Sequence, residues 1–350
     1  MDFRRFLKRL EEVGELKTIP DETHWSLEAA ALCAMTNRVG GPAIFFPKVK
    51  GYPSGHGLAG SLLTGPGTMF YQERTPWGRI AVALGLDKGI SYEALMEVLI
   101  ERRLHPIPPL RVSTGPCKEV IARDREADLF SLPFPYLYEG DGGRYGTCQV
   151  LIVKDPEMDW VNWGVYRFML LTQDRLAIHM GPRSHIGAIY RKYERRGEPM
   201  PCCIALGVEP AALLAAATTL PVGLSEAEVA GGFKQDPIEL VKAEANDLLV
   251  PARAEAILEG YIPPGERAME GPFVDLIRRT EPQPRPVFHL TALTRRQAPI
   301  LPFVAEGAKV SDSLAIRSLL ASLNLTLKCR TERQFQVRWI NLPVEARLGL

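Results

Sequence analysis

Residues 148–180 read CQVLIVKDPEMDWVNWGVYRFMLLTQDRLAIHM, and the fold turns on this stretch. It contains three runs of aliphatic, β-branched and aromatic residues, at 148–153, 160–171 and 176–180, separated by Asp, Pro and other turn-forming residues. Runs of that length and composition predict successive strands. CKEVIA at 117–122 predicts another just upstream. The middle of the chain is therefore expected to be β-based.

The flanks read differently. Phe3, Phe6, Leu7, Leu10 and Val13 recur at helical spacing with charges between them, and Gly14 fits a C-terminal cap. A second helix is expected around Leu27 to Asn37, a strand in PAIFFPKV at 42–49, and a helix from Tyr92 to Arg103. HPIPPL at 105–110 then ends the helical pattern, because successive prolines remove donors and stiffen the chain. Beyond the β-rich stretch, EPAALLAAATTL at 209–220 predicts one helix, opened by Pro210 and stopped by Pro221. DLLVPA (247–252) and AEAILEG (254–260) read as strands, and PVFHLTALTRR (286–296) as the opening of a third region. The expected fold class is α/β (α+β), with regions at 1–110, 111–292 and 293–350. No repeat appears at solenoid periods.

Composition narrows the function classes. The 350 residues carry 42 Lys+Arg against 41 Asp+Glu, with 46% hydrophobic residues, enough for one large core or two to three smaller ones and too apolar for a disordered chain. A net charge of +1 provides no general field for nucleic acid or anionic lipid. Ala211–Leu224, the most apolar stretch, is about half a bilayer-spanning length and is broken by Pro221. The amphipathic start lacks the unbroken apolar core of a secretory signal. The six cysteines form no C-x-x-C pair, so reduced thiols in the cytoplasm are expected, with no zinc ribbon or disulfide framework.

Common nucleotide and hydrolase signatures are missing: there is no P-loop, no HExxH and no nucleophile elbow. GLAGSLLTGPG at 57–67 lacks the strand-then-helix context of a dinucleotide fingerprint. Four other elements carry chemistry. VNWGVYRF presents Asn162, Trp163 and Arg167, and GPRSHIG presents His185. Asn162 and Arg167 are five residues apart, so on one strand they face opposite sides and can share a site only if a bulge or turn intervenes. In PVGLSEAEVAGGF, Ser225 and Glu228 fit a helix capping box, which leaves Glu226 unexplained. In LEGYIPPGERAMEGPFVDL, Glu270 and Asp275 flank a Gly-Pro-Phe turn that can bring two carboxylates to one pocket. Taken singly, each also reads as an ordinary surface arginine, loop histidine or turn-flanking acid.

In order and spacing, these elements resemble the UbiD family of decarboxylases, which use prenylated flavin mononucleotide (FMN). The likeness runs from FLKRLEEVGEL and PAIFFPKVKG through DGGRYGTCQVLIVKDPEMDWVNWGVYR, HIG, Ser225–Glu226 with Ala230–Gly231, AEAILEG and EGPF, to LTRRQAPILPFV. The resemblance implies an N-terminal α/β region, a central split β-barrel that binds the flavin, and a C-terminal α/β region that this chain would carry only in truncated form. It implies that Arg167, Glu270 and Asp275 are catalytic and that Asn162, His185 and Glu226 hold Mn2+ or Mg2+ at the flavin phosphate. It places the cofactor against Asn162, Trp163, Val165, Arg167, Ser184, His185, Thr218, Thr219 and Glu226, with K+ at the Trp163 carbonyl. The implied partners are a small carboxylic acid substrate, a flavin prenyltransferase that supplies the cofactor, and further copies of the chain in a homo-oligomer, with neither nucleic acid nor a membrane span.

The expected reaction is reversible, non-oxidative decarboxylation of an aromatic or α,β-unsaturated acid, for which a cofactor must supply the electron sink. Glu270 is expected to deliver a proton to the vacated carbon, its pKa raised by burial and balanced by Arg167 and Asp275. Two other readings stay open. One is a non-catalytic, C-terminally short paralogue that binds flavin or a partner subunit as a scaffold, and the other is a flavin oxidoreductase on a split barrel.

Overall fold

The computed structural model describes residues 1–64, 76–275, 278–307, 310–332 and 336–343. The expected helices are present as Phe3–Glu12, Glu28–Val39, Tyr92–Leu104 and Pro210–Ala217, each within three residues of its predicted ends. Gly14 takes a φ of +75°, and Pro210 sits in the first turn of its helix. Pro210–Ala217 is buried on every side except at its last residue and packs against Glu226–Lys234, so its uniformly apolar composition reflects burial and not membrane affinity.

Eight antiparallel strands form the central path, in spatial order Tyr145–Gly146, Phe168–Leu170, Arg175–Ile178, Gln283–Arg295, Ala256–Ile262, Met200–Leu206, Gln149–Lys154 and Val161–Gly164. Val120–Arg123 and Arg267–Glu270 also pair with the long Gln283–Arg295 strand. The run at 160–171, which reads as one strand in sequence, is two: Val161–Gly164 at one end of the path and Phe168–Leu170 next to the other. Six strand spacings of about 4.8 Å would separate them by about 29 Å in a flat sheet. The short connection between them spans at most about 14 Å when fully extended. The sheet must therefore roll up, and the non-strand residues Val165–Arg167 sit where the roll closes.

PVFHLTALTRR belongs to this rolled sheet and does not open a third region. Gln283–Arg295 runs past the division read at 292 and pairs with four neighbouring strands. Ile300–Phe303 then pairs in parallel with Gly57–Gly60, completing a four-stranded sheet with Leu16–Thr18 and Ala43–Phe46. Residues distant in sequence thus build the N-terminal layer together. The last helix, Asp312–Thr331, starts beside that layer: Asp312 accepts hydrogen bonds from the N–H groups of Leu62, Leu63 and Thr64 at 2.6–3.0 Å. Among the described residues of GLAGSLLTGPG, those amides are thus taken by a carboxylate, as expected for a concave run of backbone donors. Residues 65–67 of that stretch lie outside the described residues.

A small sheet of Leu110–Arg111, Glu239–Lys242 and Leu249–Pro251 ties the end of the proline cluster to the central region. Helix Glu226–Lys234 lies close to the same segment. A Cβ on Gly231 or Gly232 would strike the carbonyl oxygens of Ile107 and Arg102 respectively, which is why two glycines follow Ala230. All six cysteines are free, and Cys33, Cys117, Cys148, Cys202 and Cys203 are buried. No helix among the described residues is long and apolar enough to cross a membrane.

Candidate active site

The break at Val165–Arg167 provides the turn that Asn162 and Arg167 need in order to serve neighbouring sites. On one side lies a cavity of about 350 Å³, lined by residues that include Asn162, Trp163, Val165, Ser184, His185, Thr218, Thr219 and Glu226. Of the residues expected to contact cofactor, Arg167 alone is absent from this wall, and it lies next in the chain to the lining residue Tyr166.

Glu226 opens its helix behind the Ser225 cap, whose hydroxyl accepts from the Glu228 N–H at 3.3 Å. This cap fixes the Glu226 side chain toward the end strand of the sheet. Its carboxylate accepts from Asn162 Nδ2 at 2.9 Å and from the Trp163 N–H at 3.0 Å. Burial nevertheless pushes the Glu226 carboxyl up to about 7. With Nδ2 donating, Asn162 Oδ1 is a buried acceptor without a partner among the described residues. An unpaired carbonyl oxygen next to a buried carboxylate is an arrangement a hard cation satisfies.

His185, in the first turn of helix His185–Arg196, lines the same cavity and makes an edge contact with the Trp160 ring, centroids 5.2 Å apart. Burial lowers its pKa, which favours the neutral imidazole that a metal requires. Ser184 caps the helix, accepting from the Gly187 N–H at 3.2 Å. No hydrogen bond between His185 and Asn162 or Glu226 occurs among the described residues. Nor do three His, Cys, Asp or Glu side chains gather as a metal site among them; the amide of Asn162 completes the candidate set. The Thr218 hydroxyl donates to the Leu214 carbonyl at 2.8 Å, and Thr219 offers its carbonyl to Asn324 at 3.3 Å.

The second group lies beyond Tyr166. Arg167 Nε donates to Glu270 Oε1 at 2.9 Å and Nη2 to Oε2 at 3.3 Å, while Nη1 reaches Asp275 Oδ2 at 3.4 Å. The guanidinium lies 4.3 Å from the Phe273 ring centroid. The predicted trio of Arg167, Glu270 and Asp275 is therefore assembled, but its electrostatics reverse the expectation for Glu270. Burial opposes ionisation, yet His179, 3.4 Å from Oε2, and the paired arginine outweigh it and hold the carboxyl down to about 2. Arg285 adds a further cation 3.9 Å away. The charges around Glu270 thus favour its anion, opposite to the raised pKa expected of it. Asp275 has one long contact with the arginine and a side chain 36% exposed.

Several contributors escaped the sequence reading. His179 and Arg285 flank Glu270, and Arg183 and Arg317 line the cavity. Arg317 comes from the last helix, and no local pattern connects it with Asn162. His179 lies inside a predicted strand run, but only the return of Arg267–Glu270 to the sheet brings Glu270 beside it.

Residues 110–309 match the 3-octaprenyl-4-hydroxybenzoate carboxy-lyase Rift-related domain, and residues 7–99 match the N-terminal domain of the same carboxy-lyase. The chain belongs to the UbiD family. It is 34% identical over 329 residues to pyrrole-2-carboxylic acid decarboxylase of Pseudomonas aeruginosa, an alignment spanning 93% of this chain and 66% of that protein. Among solved structures, an evolved dimeric form of the UbiD-class enzyme HmfF from Pelotomaculum thermopropionicum, in complex with prenylated FMN, superposes with a TM-score of 0.85 at 31% identity, covering 98% of this chain and 76% of that one. The vanillic acid decarboxylase of Sedimentibacter hydroxybenzoicus in closed form gives 0.88 at 28%, covering 95% and 70%. The chain thus spans about two thirds to three quarters of the length of these UbiD relatives.

Proposed function

We propose that this chain is a prenylated-FMN-dependent decarboxylase of aromatic or α,β-unsaturated carboxylic acids. The observation that carries the reading is the pairing of two sites across three residues of chain: a cavity with an unsatisfied amide oxygen beside a buried glutamate, and an arginine between two acids. The prenylated-FMN complex of the HmfF relative supports the choice of cofactor. When bound, that cofactor supplies the electron sink for carbon–carbon cleavage.

The side chains fit such a group. Asn162, His185 and Glu226 would hold Mn2+ or Mg2+ against the cofactor phosphate, with Arg183 and Arg317 adding positive charge at the wall and Thr218 and Thr219 lining it. An amide oxygen, an imidazole and a carboxylate suit these harder cations better than a thiophilic metal. The Trp163 carbonyl is the candidate K+ ligand.

At the second site Glu270 binds Nε and Nη2 of Arg167 and sets the plane of the guanidinium. Nη1 is held only by the 3.4 Å contact to Asp275, which leaves it the donor best placed to receive the substrate carboxylate. Asp275, partly exposed and held by one long contact to Arg167, is the carboxyl placed to hand a solvent-derived proton to the carbon that has lost CO2. A flavin prenyltransferase as cofactor source, a homo-oligomer and a cytoplasmic location complete the proposal.

Protein produced together with a flavin prenyltransferase tests it. The expected result is prenylated FMN in the mass spectrum of the purified protein, and 13CO2 exchange into an added pyrrole or hydroxybenzoic acid. Unmodified flavin with turnover of a nicotinamide donor, or no flavin at all, would overturn it.

A further inference from the structure

Asp275 stands on a hairpin, Phe273–Asp275 with Arg278–Thr280, that forms a two-stranded sheet of its own. Among the described residues no ladder of hydrogen bonds registers this hairpin to the barrel. The 3.4 Å contact from Arg167 Nη1 to the Asp275 carboxylate is too long to fix its place alone. The contacts that do so come from DGGRY at 141–145, a motif that none of the roles above uses.

Asp141 is buried, 7% exposed, and both of its carboxylate oxygens accept from backbone N–H groups. Oδ1 takes the N–H of Val274, the residue before Asp275, at 3.2 Å, and Oδ2 takes the N–H of Tyr138 at 3.0 Å. Beside it, the Pro272 carbonyl accepts from the Gly142 N–H at 2.7 Å and from the Tyr145 hydroxyl at 3.2 Å. A Cβ on Gly142 would strike the Gly271 carbonyl oxygen, so the two segments meet backbone to backbone. The Tyr145 ring lies 4.6 Å from the Phe273 ring, over which the Arg167 guanidinium sits. Tyr145 and Gly146 pair with Met169 and Phe168, on the strand that begins directly after Arg167. A continuous path thus runs from the Arg167 strand through Tyr145 to the hairpin, and Asp141 closes it at Val274. A carboxylate suits that position, since both of its oxygens accept and neither donates.

We propose that Asp141 is a positioning residue that, by holding the Val274 N–H, keeps the Asp275 carboxyl in reach of Arg167 and of the carbon to be protonated. The inference rests on the decarboxylase reading and adds to it the residue that sets the geometry of proton delivery. Asp141 acts through the hairpin backbone and is not part of the cavity wall. Arg167 does not depend on it, because Glu270 holds Nε and Nη2.

Exchange of CO2 into a substrate breaks and re-forms one carbon–carbon bond and takes no proton at that carbon, whereas product formation needs one. Wild type, Asp141→Ala and Asp141→Asn are therefore compared in amide hydrogen exchange of peptides spanning Val274, read by mass spectrometry. Protein loaded with prenylated FMN is then assayed for 13CO2 exchange and product release with pyrrole-2-carboxylate or 4-hydroxybenzoate, whichever wild type accepts. In Asp141→Ala the Val274 peptides should exchange at least about tenfold faster. Its 13CO2 exchange should stay within about twofold of wild type while product release falls about tenfold to a hundredfold, as expected when a reacting group is misplaced by about 1 Å. Asp141→Asn keeps one acceptor oxygen, should lie between, and carries the test if Asp141→Ala does not fold. Unchanged exchange at Val274 in the variants overturns the inference whatever the turnover. So does product release that stays at the wild-type rate, or that falls together with 13CO2 exchange, since Asp141 would then brace the site as a whole. Wild type with neither prenylated FMN nor 13CO2 exchange would instead sink the decarboxylase reading, and the Val274 amides would still decide whether Asp141 holds the hairpin.

Discussion

Replacing Glu270 by glutamine probes the electrostatics of the Arg167 cluster without changing its shape. In the native protein the two carboxylate oxygens face Arg167 Nε and Nη2 and His179 Nδ1, with Arg285 nearby. A carboxyl held at about 2 instead of 4.5 contributes about 3 kcal/mol to stability at neutral pH. The sign follows from the depressed value: the contribution is complete above the ordinary glutamate range and is lost as pH falls from about 4.5 through about 2. Glu270→Gln removes the charge and turns an NH2 toward cationic donors, so the variant should be about 3 kcal/mol less stable at pH 7. At pH 3.5, where the native group still keeps about 2 kcal/mol, the gap should narrow by about 1 kcal/mol. Urea unfolding of both proteins at pH 7, 5 and 3.5 measures it. A difference that stays constant or grows toward low pH would refute the argument, because the Glu270 carboxyl would then not be held ionised by its neighbours.

The remaining predictions concern the two halves of the site. Arg167→Lys keeps a positive charge but loses the fork that spans Glu270 and Asp275 and the stacking on Phe273; kcat should drop at least about a hundredfold in a CO2-release assay, as expected when a bidentate site loses its arginine. Asp275→Asn should abolish solvent deuterium incorporation into the product carbon, while flavin content by absorbance stays within about twofold of wild type, since Asp275 is not part of the cavity wall. Asn162→Ala and Glu226→Gln should each lower bound manganese and flavin together, read by elemental analysis and mass spectrometry, because each removes one oxygen donor from the same wall. Ser184→Ala should cost about 1 kcal/mol in unfolding experiments through loss of the cap on the His185 helix.

Much of the architecture could be read locally. The helices at Phe3–Glu12 and Tyr92–Leu104 follow from apolar spacing and caps, and Pro210–Ala217 from its composition and bounding prolines. Ser225 and Glu226 were separable as a cap and an unexplained acid, because a capping pattern accounts for positions relative to one helix start and for nothing outside it. The order of the motifs was enough to pick out Asn162, Arg167, His185, Glu226, Glu270 and Asp275 through their family resemblance.

Other features depend on partners far away in the chain. PVFHLTALTRR has the same composition whether it opens a new region or forms the spine of the barrel, and only its pairing with four other strands decides. Burial alone would raise Glu270, and sequence shows its acid neighbour and its arginine but not His179, which together with Arg167 reverses the direction once the strands bring it within 4 Å. Residue order is enough to show which residues are apolar, which can cap or turn, and which side chains can hold a cation or move a proton. The tertiary structure alone decided how those charges are balanced, because electrostatic energy depends on distances and burial that the order of residues does not contain.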